Sequence, residues 1–155
     1  RRQRVREQKE NRVMTLVFSQ VDESAWMASG SEGYALMTQV GSRSFSVLMK
    51  SGDLQETFLG TMQECVQAGG RFLRQYGGQF LPFAEERWGD LPPTESQMKV
   101  LATHPHPPET RRKASALIAY KFHKRELLKR DEQHAPSVPV SLLQQEAEHQ
   151  NHERV

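Results

Sequence analysis

The apolar positions of this chain read as strands in its first third and as helices after that. From Val13 to Val21 (VMTLVFSQV) apolar and β-branched residues run with few breaks, the pattern of a strand buried on both faces. Asp22 to Ser31 loses that pattern and reads as a loop with Trp26 inside it. Tyr34–Val40 and Phe45–Lys50 read as two short strands joined by a turn at Gly41-Ser42-Arg43. In the second of these, Phe45, Val47 and Met49 alternate onto one face. The expectation is a small antiparallel sheet of three strands.

A helical period follows. Leu54, Phe58, Met62, Val66, Gly69, Leu73 and Tyr76 recur at helical spacing, and Asp53 with Glu56 offers a capping box at the start. Gly77-Gly78 ends the run. Gly69-Gly70 inside it costs about 1 kcal/mol per glycine relative to alanine, which calls for close packing on the sheet or a local bend. Gln79 to Pro93 is an irregular connector carrying Phe80, Phe83 and Trp88. Thr94-Glu95-Ser96-Gln97 is a second capping-box signature, opening a short helix over Thr94–Ala102. His104-Pro105-His106-Pro107-Pro108 stops that helix, and Thr110 caps a third over Thr110–Lys129. Ala114, Leu117, Ile118 and Phe122 form its apolar stripe, which charged residues interrupt after Phe122.

The fold class this implies is α+β: a three-stranded antiparallel sheet packed by a long helix, then a helical pair and a polar tail. The organisation reads as residues 1–12, a basic linker or helix end; 13–87, the small α+β unit; 88–130, the helical pair; and 131–155, an acidic disordered tail. A start at Arg1 reads as a segment of a longer protein.

Charge changes this picture more than composition does. The net charge is only +2, but residues 108–130 hold eight basic and two acidic groups. Residues 131–155 hold one basic and five acidic groups. Arg111-Arg112-Lys113 opens the third helix, where positive charge opposes the macrodipole and calls for a negative partner. Arg111, Arg112, Lys113, Lys121, Lys124 and Arg125 are the candidate nucleic-acid contacts, with a solvated basic face and an acidic protein partner as the competing readings.

Catalytic chemistry finds no footing. The chain has neither the GxxxxGK[ST] loop that cradles phosphates nor a DEAD- or DEAH-type acidic motif for magnesium. A single cysteine, Cys65, excludes an internal disulfide and a cysteine-built metal site, and its place beside the apolar stripe reads as a buried small residue. His104 and His106 lie in a proline-locked segment without a supporting cysteine or carboxylate pair, which reads as a helix break and no metal site. His123 lies among Lys121, Lys124 and Arg125, where a metal would be repelled. No apolar run approaches the roughly 18 residues that span a membrane, so no membrane contact is expected, and the single cysteine makes an intracellular compartment the expectation.

Trp88-Gly89-Asp90-Leu91-Pro92-Pro93-Thr94-Glu95-Ser96-Gln97, then Leu101, then Thr110-Arg111-Arg112-Lys113-Ala114-Ser115-Ala116-Leu117-Ile118 resembles a pattern near the C-terminus of superfamily 2 DEAD/DEAH-box helicases. The likeness is to the fungal mitochondrial kind related to type III restriction helicases. That pattern runs Trp-Arg, Pro-Ala-Thr, a Gln three residues on, a Leu, then Thr-Lys-Gly-x-Ala-Ser and an aliphatic pair. This chain departs from it at Gly89, where the family has Arg, and at Arg112, where the family has Gly. The resemblance implies a non-catalytic C-terminal accessory domain of an ATP-dependent helicase that contacts DNA or RNA backbone without sequence preference. It implies an upstream helicase core in the same polypeptide, ATP and magnesium as needs of that motor rather than of this chain, and the mitochondrial matrix. The alternative is a protein-interaction or structural module whose basic helix meets an acidic protein surface or its own tail.

Overall fold

A computed structural model describes residues 15–134; the basic stretch at 1–12, Val13, Met14 and residues 135–155 lie outside the described residues. The chain divides into two compact units, Arg1–Tyr120 and Lys121–Val155.

The first unit is built on a five-stranded antiparallel meander in sequence order, not on three strands. Its strands are β1 (Ser19–Asp22), β2 (Ala25–Ser29), β3 (Tyr34–Gln39), β4 (Phe45–Ser51) and β5 (Leu54–Gly60). Helix α1 (Met62–Tyr76) follows, then a 3-10 turn (Arg87–Asp90), α2 (Glu95–Val100) and α3 (Arg111–His134). Residues of α3 up to Tyr120 belong to the first unit.

Two strands escape the sequence pattern for physical reasons. β2, expected as a loop around Trp26, is covered on both faces. Trp26 and Ala28 face the α1 side, where Trp26 meets Phe45 edge-on at 6.0 Å, while Ala25 and Met27 pack with Ala116 on the other side. A strand buried on both faces shows no alternation. β5 was expected as the first turns of a long helix. Leu54 and Phe58 are four apart, and a four-residue spacing keeps one face in a strand as well as in a helix. Gly52-Asp53 decides the matter. Ser51 pairs with Leu54 across this two-residue loop, and Gly52 sits at φ 59 with no positive φ at Asp53, the type II′ hairpin turn. Asp53 therefore turns a hairpin and caps no helix.

The helix begins eight residues later than expected. Thr61 and Glu64 form the capping box of α1: the Glu64 N–H donates to Thr61 Oγ1, and the Thr61 N–H to Glu64 Oε1. Its buried face, Cys65, Ala68, Gly69, Phe72 and Leu73, packs on Ala28, Ala35, Met37, Val47 and Met49 of the sheet. Close packing explains Gly69: a methyl there would sit 3.2–3.4 Å from Leu16, Phe18 and Ala35. The first residues of α3 cover the opposite face. Ala116 packs with Ala25, Met27 and Leu36, and Ala114 and Leu117 pack with Leu101 just past α2.

Substituting Gly52 with valine tests the hairpin. A side chain at this position meets open space, so the cost is the backbone conformation alone, about 1–3 kcal/mol. The expected outcome is a lower urea midpoint at unchanged denaturant slope.

Candidate nucleic-acid interface

The connector after α1 is held at both ends. Ser31 N–H donates to the Gln79 carbonyl at 2.8 Å, Gln79 N–H donates to Ser31 Oγ at 2.6 Å, and Glu32 N–H donates to the Gly77 carbonyl at 2.9 Å. Beyond them, Val17 N–H donates to the Pro82 carbonyl and Ala84 N–H to the Thr15 carbonyl, each within 2.9 Å. Phe80 lies between these anchors at φ 53, in the left-handed region that non-glycine residues enter at a cost. Its ring stays 61% exposed and meets Trp88 edge-on at 5.8 Å. Trp88 is fixed in turn, its indole N–H donating to the Leu81 carbonyl at 2.9 Å.

The three basic residues that open α3 have three different placements. Arg112 turns inward, its side chain 10% exposed. Its Nη1 pairs with Asp90 Oδ1 at 2.8 Å, and its Nη2 donates to the carbonyls of Phe83 (3.2 Å) and Glu86 (3.1 Å). Its Nε, closed off by Gly89, has no hydrogen-bond partner among the described residues. The Lys113 ammonium donates to the Gln20 carbonyl, and burial lowers its pKa. Arg111 Nε donates to the Pro92 carbonyl at 2.9 Å, while its two terminal nitrogens carry no hydrogen bond or ion pair among the described residues. The negative partners that the helix start calls for are largely the connector's own carbonyls and Asp90.

Phe80, Trp88 and Arg111 line one apolar cleft of about 320 Å³ with Ser29, Gly30, Ser31, Thr94, Gln97 and Ser115. Thr94 and Gln97 form the capping box of α2, and Gln97 Nε2 continues to Ser115 Oγ at 3.2 Å and the Arg111 carbonyl at 3.4 Å. The hydroxyl and amide wall is thus pre-set by its own hydrogen bonds. The site that structure assembles is therefore not the one charge picked out. Arg111 belongs to it, Arg112 and Lys113 are drawn inward, and Phe80 and Trp88 were overlooked although three aromatics in an irregular connector are a signal in themselves.

Lys121, Lys124 and Arg125 lie in the second unit. Lys121 is half-buried, Lys124 and Arg125 are exposed, and the Arg125 guanidinium sits 5.4 Å from the centre of the Phe122 ring. The other candidate groups have local roles. Cys65 is buried, donates its thiol to the Phe45 carbonyl at 3.4 Å, and has its pKa raised chiefly by burial. His104 Nδ1 accepts the His106 N–H at 3.1 Å, closing the turn between α2 and α3. Among the described residues there is no group of three or more metal-ligating side chains, and no helix is long and apolar enough to cross a membrane.

The residues of the helicase-like pattern have structural roles here: Thr94 and Gln97 cap, Gln97 reaches Ser115, and Leu101 is buried with Ala114 and Leu117. The two departures from the pattern touch each other. A methyl on Gly89 would sit 2.6 Å from the Arg112 guanidinium, so the missing side chain at one position makes room for the large one at the other. Arg112 is helical, and no positive φ is required of it. Compared with known proteins, the chain matches no protein-family model, no curated protein and no solved structure.

Arg112→Met should cost about 2–3 kcal/mol, because two carbonyls and a carboxylate lose a charged donor. Asp90→Asn should cost less, because Asp90 is largely exposed and both carbonyl contacts remain. Urea unfolding of the two variants checks the order.

Proposed function

We propose that this chain is a non-catalytic accessory segment of an ATP-dependent helicase, and that its cleft holds a single-stranded stretch of nucleic acid. One base lies against Phe80, and a phosphate sits on the outer nitrogens of Arg111. The observation that carries this reading is the pairing, in one cleft, of an exposed aromatic held at positive φ with a guanidinium whose terminal donors have no partner among the described residues. Every base has a π-face, so stacking of this kind is tolerant of sequence. A planar guanidinium fork matches a phosphate with two parallel donors.

The proposal narrows the basic set. Arg112 and Lys113 serve folding, so phosphate contact within the first unit falls to Arg111. Lys121, Lys124 and Arg125 are further candidates on their own unit. Gly89 and Arg112, the two positions at which the chain departs from the helicase-like pattern, are in contact, which supports reading the two departures as one coupled change within that pattern. ATP, magnesium, an upstream motor core and a mitochondrial address belong to the same proposal and come from the resemblance.

Fluorescence anisotropy with labelled 12-mer oligothymidylate and oligouridylate tests it. Phe80→Ala should weaken binding by about 1–3 kcal/mol at unchanged salt slope. Arg111→Ala should reduce the log–log salt slope by about 0.7. Equal binding by both variants and the wild-type chain, or no binding at low salt, would overturn the reading.

A further inference from the structure

The two edges of the sheet are treated differently. β1 is four residues long and its pairing with β2 is interrupted by a register shift between Gln20 and Asp22. The chain just ahead of it is paired with Pro82–Ala84. β5 has seven residues, an unbroken register from Ser51↔Leu54 to Phe45↔Gly60, and no lysine, arginine or proline. Short strands, bulges, proline and lysine are the usual protections of a free edge, and β5 has none of them.

The register says which groups that edge presents. A two-residue hairpin loop closes on a hydrogen-bonded pair, here Ser51 and Leu54, and such pairs alternate along an antiparallel ladder. Leu54, Glu56, Phe58 and Gly60 therefore bond to β4. The N–H and C=O groups of Gln55, Thr57 and Leu59 point away from it, with no partner strand among the described residues. Beside this edge, between β5 and α1, runs a cleft of about 400 Å³ with Met49, Phe58 and Phe72 in its apolar part and Glu56 and Arg71 among its polar lining. Neither charge forms an ion pair among the described residues.

We infer that β5 is a docking edge for an extended peptide, which adds as a sixth strand and sets an apolar side chain opposite Phe58 and a basic one opposite Glu56. A strand added antiparallel bonds to Gln55, Thr57 and Leu59 and places its alternate side chains on the cleft side. The positions opposite Phe58 and Glu56 are non-hydrogen-bonded pairs, where α-carbons approach to about 4.5 Å and side chains interact most closely. A basic residue there lies cross-strand from Glu56. Charge favours this occupant over a second copy of the chain: β5 carries one charge, Glu56, and no basic residue, so self-pairing offers Glu56 no cation in any register.

The test uses the full chain, ¹⁵N-labelled, and the capped peptide acetyl-Thr-Thr-Ile-Thr-Lys-Thr-Thr-amide. Shifts and exchange protection should appear at the amides of Gln55, Thr57 and Leu59. Thr57→Pro removes an N–H that faces away from β4, so the fold should survive while peptide affinity falls about tenfold or more. Glu56→Lys should weaken binding about two- to fivefold, and replacing the peptide's lysine by glutamate should restore it. Two results would overturn the inference: no perturbation of these amides at millimolar peptide, or a dimer in which they are already protected without peptide.

Discussion

The guanidinium of Arg112 organises the part of the molecule where this chain differs from a plain sheet-and-helix unit. Burying such a charge costs several kcal/mol unless its donors are matched, and a carboxylate and two main-chain carbonyls take up both terminal nitrogens, leaving Nε without a partner among the described residues. The same contacts solve a second problem. The connector between α1 and α2 forms little regular ladder, so its carbonyls need other donors. Arg111 and Lys113 extend the arrangement to the carbonyls of Pro92 and Gln20. Three consecutive basic residues thus tie connector, sheet edge and helix start together. Within the connector, Trp88 is held by its indole N–H on the Leu81 carbonyl and meets Phe80 edge-on.

A block of charge in a sequence is therefore not a surface patch. Residues 108–130 carry a large excess of positive charge, yet two of the three cations at the head of α3 are directed into the protein. Positive charge at a helix start calls for a negative partner, but the charge pattern alone does not tell a bound polyanion from carbonyls of the same chain. What separates them is that the acceptors lie about 20–30 residues upstream of Arg112, in a stretch with no periodicity to announce its path.

Much of the local structure was legible. Strands β3 and β4, the cap at Thr94 and Gln97 and the cap at Thr110 follow from residues a few positions apart. The sheet was undercounted because β2 is buried on both faces and because Leu54 and Phe58 suit either period. Gly52-Asp53, a hairpin signal read as a helix cap, was the deciding residue pair. The cleft was less legible than the fold. Arg111 could be named from charge, but Phe80 acquires its role from a backbone conformation enforced by Ser31 and the Thr15–Val17 segment, which no local pattern encodes.

The central claim is that one base and one phosphate meet at Phe80, Trp88 and Arg111. A ¹H–¹⁵N titration of the full chain with oligothymidylate reads this directly. The account predicts that the largest shifts fall on the Trp88 indole N–H, the Phe80 amide and the Arg111 Nε–H, and that they saturate together. Shifts confined to Lys121, Lys124 and Arg125, or none at all, would contradict it.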